Sequence, residues 1–278
     1  MFEREYYCLV AGLKQLTLDS ENKGLEPRAI IGDIVEELSG ADAKAVRLLY
    51  TYYDCENLAA ARRGSKRHNA LGNLDAQQIA TELVEPSHAP RSVATVIRAF
   101  ASAESEEAEQ IDTTTSFERA LFEAYYAECA RSSSRFVREW GETDRTLRNV
   151  AAAIGARLAQ IPVSDVVVGE GDVADALRRS SAADFGLRGE LPYVDALISA
   201  VCDEPNILEK EHKIDSIRWG EIEECTTFDY FNLSAVMAYL VKLNIVARWA
   251  ELDSTKGHQM LERLMEELSA KDKINNKI

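Results

Sequence analysis

Apolar positions recur along most of this chain with the spacing of one face of an α-helix. In GHQMLERLMEELSAK, Met260, Leu261, Leu264, Met265 and Leu268 make one stripe while Glu262, Arg263, Glu266 and Glu267 face the other way, the pattern of a surface helix lying on a core. The stretch FDYFNLSAVMAYLVKLNIVARWAEL is apolar around most of its circumference, which predicts a central helix. Thr226 with Asp229 three residues later resembles a capping box at its start. Ser39 with Asp42 before AKAVRLLYTYY, and Ser116 ahead of FERALFEAYYAECA, are two further helix starts. The exceptions are YYCLVA near the beginning and VSDVVVG around Val166 to Val168, which read as short strands without an obvious hairpin partner. The expected fold class is all-α.

One short pattern appears three times: Asn57-Leu58-Ala59-Ala60, Asn149-Val150-Ala151-Ala152 and Asn244-Ile245-Val246-Ala247. The copies are near-equally spaced, about 92 and about 95 residues apart. Each is followed by an arginine (Arg62, Arg157, Arg248) and preceded by an aromatic-rich helical stretch. Asp54 and Asp144 precede the first two asparagines. The spacing predicts three related helical lobes, with the asparagines as helix caps or interhelical hydrogen-bonding residues rather than catalysts. The resulting division is a first lobe over residues 1–100, an acidic connector over 101–116, a second lobe over 117–190 and a third over 191–278.

Composition narrows the function. With 47 acidic against 32 basic residues and a net charge of −15, the 278-residue chain is acidic overall, which argues against nucleic acid, whose binding draws its affinity from Lys and Arg. Its five cysteines, Cys8, Cys55, Cys129, Cys202 and Cys225, are widely spaced and form no CxxC, which reads as reduced core thiols in a cytosolic protein. The start MFEREYYCLVAG does not have the form of a signal peptide. The most apolar run, Tyr230 to Val241, is shorter than the roughly 20 residues needed to cross a bilayer. Charge is uneven: Glu104, Glu106, Glu107, Glu109 and Asp112 crowd the connector, whereas Arg62, Arg63, Lys66, Arg67 and His68 cluster around Gly64. That basic segment could touch an acidic partner, and a solvated loop is the blander alternative.

Candidate chemistry is sparse. Two ExxH matches, Glu209 with His212 and Glu85 with His88, have the form used by di-metal helical bundles, but Pro86 lies inside the second and breaks the helical spacing it needs. None of the four histidines adjoins a nucleophile motif. Gly169 and Gly171 lack the rest of a phosphate loop and read as a turn, with Asp172 capping the helix that follows. The run ILEKEHKIDSIRWGEIEE has the alternation of an exposed amphipathic helix. No cofactor, metal or small-molecule substrate is expected.

Several segments together carry a resemblance: REYYCLVAGLKQL, YYDCENLAAARRG, SSAADFGLRGE, ILEKEHKIDSIRW and FDYFNLSAVMAYLVKLNIVARWAEL, with Asp184 to Leu187 and Ala238 to Trp249 the most specific pieces. They resemble a bacterial family associated with the V-type ATPase, itself similar to a divergent form of the funnel-shaped C-type component of that enzyme's central stalk, the d-type component in eukaryotes. The resemblance implies a funnel of three helical lobes at the cytoplasmic face of the inner membrane. Such a protein sits on the rotor ring, receives the central shaft and carries no catalytic residues, so it meets the membrane only through protein partners. The chain is shorter than a typical C-type component, and its acidic connector has no counterpart there. Asp184-Phe185-Gly186 is not a kinase motif, because no VAIK lysine or HRD loop accompanies it. It reads as a helix end with Gly186 left-handed. Two other expectations compete with a rotor component: a free-standing helical adaptor, and a metal-dependent enzyme built on Glu209 and His212.

Overall fold

Eleven α-helices follow one another along residues 4–18, 25–102 and 111–251, the parts of the chain that the computed structural model describes. They are α1 (Tyr7–Gly12), α2 (Pro27–Glu37), α3 (Gly40–Arg62), α4 (Ala76–Glu82), α5 (Arg91–Ala101) and α6 (Phe117–Arg131). The second half contains α7 (Arg135–Leu158), α8 (Asp172–Arg179), α9 (Val194–Cys202), α10 (Ile207–Cys225) and α11 (Leu233–Glu251). The described residues form no strand, only a single antiparallel bridge between Glu5 and Asn232. The two expected strands are therefore corrected: YYCLVA runs from the N-cap of α1 through most of that helix, and Val163–Asp165 is one turn of 3₁₀-helix. Both runs are short and apolar, a pattern that periodicity cannot assign to strand or buried helix. The expected helix around Met260 to Leu268 and the glutamates of the acidic connector lie outside the described residues.

Side-chain caps set most of the helix starts. Ser39 accepts from the Asp42 N–H and donates to its carboxylate, and Ser116 accepts from the Arg119 N–H, as expected. Asp75 and Gln78 add a reciprocal capping box at α4. Two expected caps move. Thr226 is the C-cap of α10, and α11 starts seven residues later, where Asn232 accepts from the Ala235 N–H. Gly171, at φ 118°, occupies the N-cap of α8, which leaves Asp172 in its first turn. The long helices α3 and α7 stop in the same way. Gly64 and Gln160 are left-handed, and the following N–H groups, of Ser65 and Ile161, bond back to the carbonyls of Ala60 and Ala156 at 3.0 and 2.8 Å.

Helix α7 organises the packing. Its 24 residues extend about 36 Å at 1.5 Å per residue, far enough to serve two hydrophobic clusters. Phe136, Val137 and Trp140 belong to the larger cluster, formed with α2, α3, α5, α6 and α11. Leu147, Val150, Ala153 and Ile154 belong to the smaller one, formed with α8, α9 and the Phe185–Leu187 turn. Helix α6 crosses closely enough that a Cβ at Gly141 of α7 would meet the Cys129 Cβ at 2.8 Å. Helix α11 is longer than the apolar run Tyr230 to Val241 suggested. By length and composition alone, Leu233–Ala250 is apolar enough to cross a membrane, yet 61% of that window is buried inside the protein, as in a core helix.

Candidate partner interface and the residues that build it

The first two repeat asparagines do the same job. Asn57, buried on α3, donates to the Asn69 carbonyl at 3.0 Å and accepts from the Asn69 N–H at 2.6 Å. Asn149, buried on α7, donates to the Val168 carbonyl at 2.8 Å and accepts from the Val168 N–H at 2.9 Å. Each amide thus satisfies both backbone groups of one residue in the returning loop, which a carboxylate or hydroxyl of similar size cannot do with the same pairing. Asn244 is also buried, but its carbonyl accepts from the Tyr50 hydroxyl at 3.1 Å and so ties α11 to α3. The preceding aspartates diverge. Asp54 binds the Leu74 N–H and the Asn73 amide of its own loop, whereas Asp144 accepts from Tyr126 and Arg148.

The basic segment is partly consumed by the fold. Arg62 donates to the Phe100 carbonyl at 2.8 Å and lies over the Phe117 ring, and Arg63 pairs with Glu118. These contacts fasten the end of α3 to the end of α5 and the start of α6. Lys66, Arg67 and His68 follow the left-handed Gly64 in a loop, with Lys66 and Arg67 exposed. All four arginine and lysine positions singled out in the sequence are exposed, and Arg62 and Arg63 are already engaged by partners within the fold.

The run ILEKEHKIDSIRWGEIEE is more than an exposed amphipathic helix. Asp215 is fully buried on α10, where it accepts from Arg218, from Trp249 Nε1 at 2.8 Å and from Arg248. Arg218 also lies 3.5 Å from Asp144, whose other neighbours are Arg148 and the Tyr126 hydroxyl. A chain of alternating charges thus joins α7, α10 and α11, and the Tyr126 hydroxyl ties α6 to it. Burial alone would raise the Asp144 carboxyl, but the guanidinium groups of Arg148 and Arg218 outweigh it and hold the group below its ordinary range. The buried anion was not legible in the sequence, because Asp215 sits among exposed residues with the alternation of a solvated face.

The most open apolar surface lies where the sequence suggested a buried helix. The α10–α11 connection leaves Phe228 86%, Tyr230 68% and Phe231 38% exposed, and Tyr7 of α1 adds a ring 59% exposed and 4.9 Å from Phe231. The Tyr6 N–H bonds to the Phe231 carbonyl, and Arg135 of α7 pairs with Asp229, so the loop is anchored from two sides while its rings face solvent. Large exposed aromatic clusters of this kind mark interaction surfaces. Aspartate and asparagine interleaved with aromatics, in FDYFN, are the signal that could have revealed a loop there.

The metal candidates do not assemble. Glu85 and His88 lie in the connection between α4 and α5, and the histidine takes Glu82 as its carboxylate partner at 2.7 Å. His212 packs edge-on against Trp249. No group of three or more potential metal ligands occurs among the described residues. Cys55 and Cys129 are buried, whereas Cys8 and Cys202 are exposed and Cys225 is half-buried, so only two of the five thiols are core residues. No curated protein matches the chain. Residues 3–272 match one family throughout, and the chain belongs to that family, described as Protein of unknown function (DUF2764).

Proposed function

We propose that this chain is a non-catalytic central-stalk component of a V-type ATPase, coupling the central shaft to the membrane rotor ring in ATP-driven ion transport or ATP synthesis. The observation that carries a binding role is the aromatic surface of Tyr7, Phe228, Tyr230 and Phe231, held open on an anchored loop. The choice of partners comes from the sequence resemblance, whose segments span most of the chain. The recurrence of one asparagine clasp on α3 and α7 supports two related units, and three related lobes in a funnel are what the sequence resemblance implies. In this reading the protein works at the cytoplasmic face of the inner membrane and reaches it only through its partners. The interface combines aromatic anchors with a polar rim, and Lys66 and Arg67 contribute charge to acidic partner surfaces.

Affinity purification of the tagged protein from its native cells tests this. Shaft and ring proteins should co-purify, and the exposed-ring variant Phe228→Ser/Tyr230→Ser should reduce their recovery at least about tenfold, since interface aromatics contribute about 2 kcal/mol or more each when they are hot spots. Charge reversal at Lys66 and Arg67 should lower recovery relative to wild type most at low salt and less as salt rises, because screening weakens the repulsion that the reversed charges introduce. Failure of the wild-type protein to recover either the shaft or the ring removes the rotor assignment and leaves a free-standing helical adaptor using the same surface.

A further inference from the structure

A cavity of about 460 Å³ lies between α3, the loop after it, α4 and the connection into α5. That is within the range of about 300–1,000 Å³ typical of small-molecule sites. Its wall is pinned: Asp54 takes the Leu74 N–H at 3.0 Å and the Asn73 amide at 2.7 Å, and Asn57 clasps Asn69 at the other end of the same loop. The loop approaches α3 so closely that a Cβ on Gly72 would stand 2.7 Å from the Asp54 carboxylate. A cavity with so fixed a wall is a preformed one.

The charges facing it are ordered. Lys44, Arg47 and Asp54 all line the cavity from α3, the two cations exposed and Asp54 95% buried. Arg47 and Asp54 are about 10 Å apart along the helix axis at 1.5 Å per residue. Neither Lys44 nor Arg47 has a carboxylate partner among the described residues, although the chain carries 47 acidic side chains and Arg119, Arg135, Arg145 and Arg188 all find one. Leu58, Leu74 and Val93 supply apolar lining. On the opposite side, His88 also faces the cavity, with Nδ1 held by Glu82 and Nε2 as its other ring nitrogen.

We propose that this cavity binds a small dipolar molecule, with an oxyanion at one end against Lys44 and Arg47, an apolar middle, and an ammonium or hydroxyl at the other end donating to Asp54. The order of charge along α3 selects such a ligand over a simple anion, which would meet the buried carboxylate, and over a simple cation, which would meet Lys44 and Arg47. Burial raises the Asp54 carboxyl in spite of the donors from Asn73 and Leu74. The site is separate from the aromatic surface and does not depend on the rotor assignment.

Three probes decide it on the full-length protein: 6-aminohexanoate, which has both ends, hexanoate, which lacks the donor, and hexylamine, which lacks the anion. Amide chemical shifts of residues 44–54 and 72–75 are followed by NMR. The expected result is saturable binding of 6-aminohexanoate at least about tenfold tighter than either half-probe, since each lost polar end leaves a site group unmatched. Lys44→Gln/Arg47→Gln, at exposed positions, should weaken 6-aminohexanoate about tenfold while binding hexylamine no more weakly than the wild type does. Equal affinities for the three probes, equal affinity in the double variant, or no saturable shift up to about 10 mM would overturn the proposal. An unchanged thermal midpoint in the double variant ensures that a loss of binding reads the site rather than unfolding.

Discussion

At the scale of single residues, the chain uses buried polar groups as fasteners. Asn57 and Asn149 each close a loop onto a long helix with two hydrogen bonds to one residue's backbone. Removing either leaves a backbone N–H and carbonyl to find water or go unsatisfied, at a cost of about 1–3 kcal/mol. The asparagines were legible as structural residues because their pattern recurs, but their partners were not. A loop residue 12 or 19 positions away cannot be read from helical periodicity. Cysteine placement was misread for a related reason, since the spacing of cysteines along a chain carries no information on their depth. Burial pushes the Cys129 thiol up to about 12 and Cys55 well above its ordinary value. A thiol-disulfide exchange reagent at pH 8 should therefore modify Cys8 and Cys202 quickly, Cys225 slowly, and Cys55 and Cys129 only after denaturation. Mass spectrometry of the modified peptides checks this, and rapid native labelling of Cys55 or Cys129 would contradict the packing of α3 on α6.

At the scale of elements, helix α7 has two glycines that should respond to the same substitution with opposite signs. Gly155 has open space where a Cβ would stand, so Gly155→Ala should stabilise the protein by about 0.5–1 kcal/mol through helix propensity. Gly141 has the Cys129 Cβ only 2.8 Å from that position. Gly141→Ala gains the same propensity but forces α6 and α7 apart, for a net loss of about 1–2 kcal/mol once overpacking is included. Urea denaturation of the two variants reads the difference directly, and stabilisation by both would mean that α6 and α7 do not meet at Cys129. Among the caps, Ser39 and Ser116 were readable because a hydroxyl precedes a clean amphipathic run. Asn232 was hidden by the aromatics before it, which extended the apparent apolar run backwards to Phe228.

At the scale of the whole molecule, the alternating charges of Asp144, Arg218, Asp215 and Arg248 tie α7, α10 and α11 together. Replacing Asp215 by leucine leaves Arg218 and Arg248 facing a buried site without their anion, and should destabilise the fold by about 3 kcal/mol. Acid should act through the same network. The folded Asp144 carboxyl lies below its unfolded value, so its contribution is present in full above the ordinary aspartate range, near about 3.9, and is lost as pH falls through the depressed folded value. Acid unfolding monitored by circular dichroism should accordingly steepen below about pH 4, and Asp144→Asn should flatten that limb. An identical acid limb in the variant would show that the carboxylate is not held by the two arginines.

The sequence by itself determined that this chain is helical, because amphipathic period and capping chemistry act over three or four residues and leave their mark locally. It also marked the repeated asparagines as structural and the region around Gly64 as a basic loop. What only the tertiary structure decided is where those local elements meet. Arg62 and Arg63 are drawn into contacts with Phe100, Phe117 and Glu118, far along the chain, and Asp215 is buried by Arg248 and Trp249. The aromatic run before α11 opens to solvent rather than into the core, because the bridge to Glu5 and the pairing of Asp229 with Arg135 hold its backbone in a loop. Burial and exposure are properties of contacts between distant segments, and a pattern that is period-3.6 within one helix carries no record of which other helix will cover it.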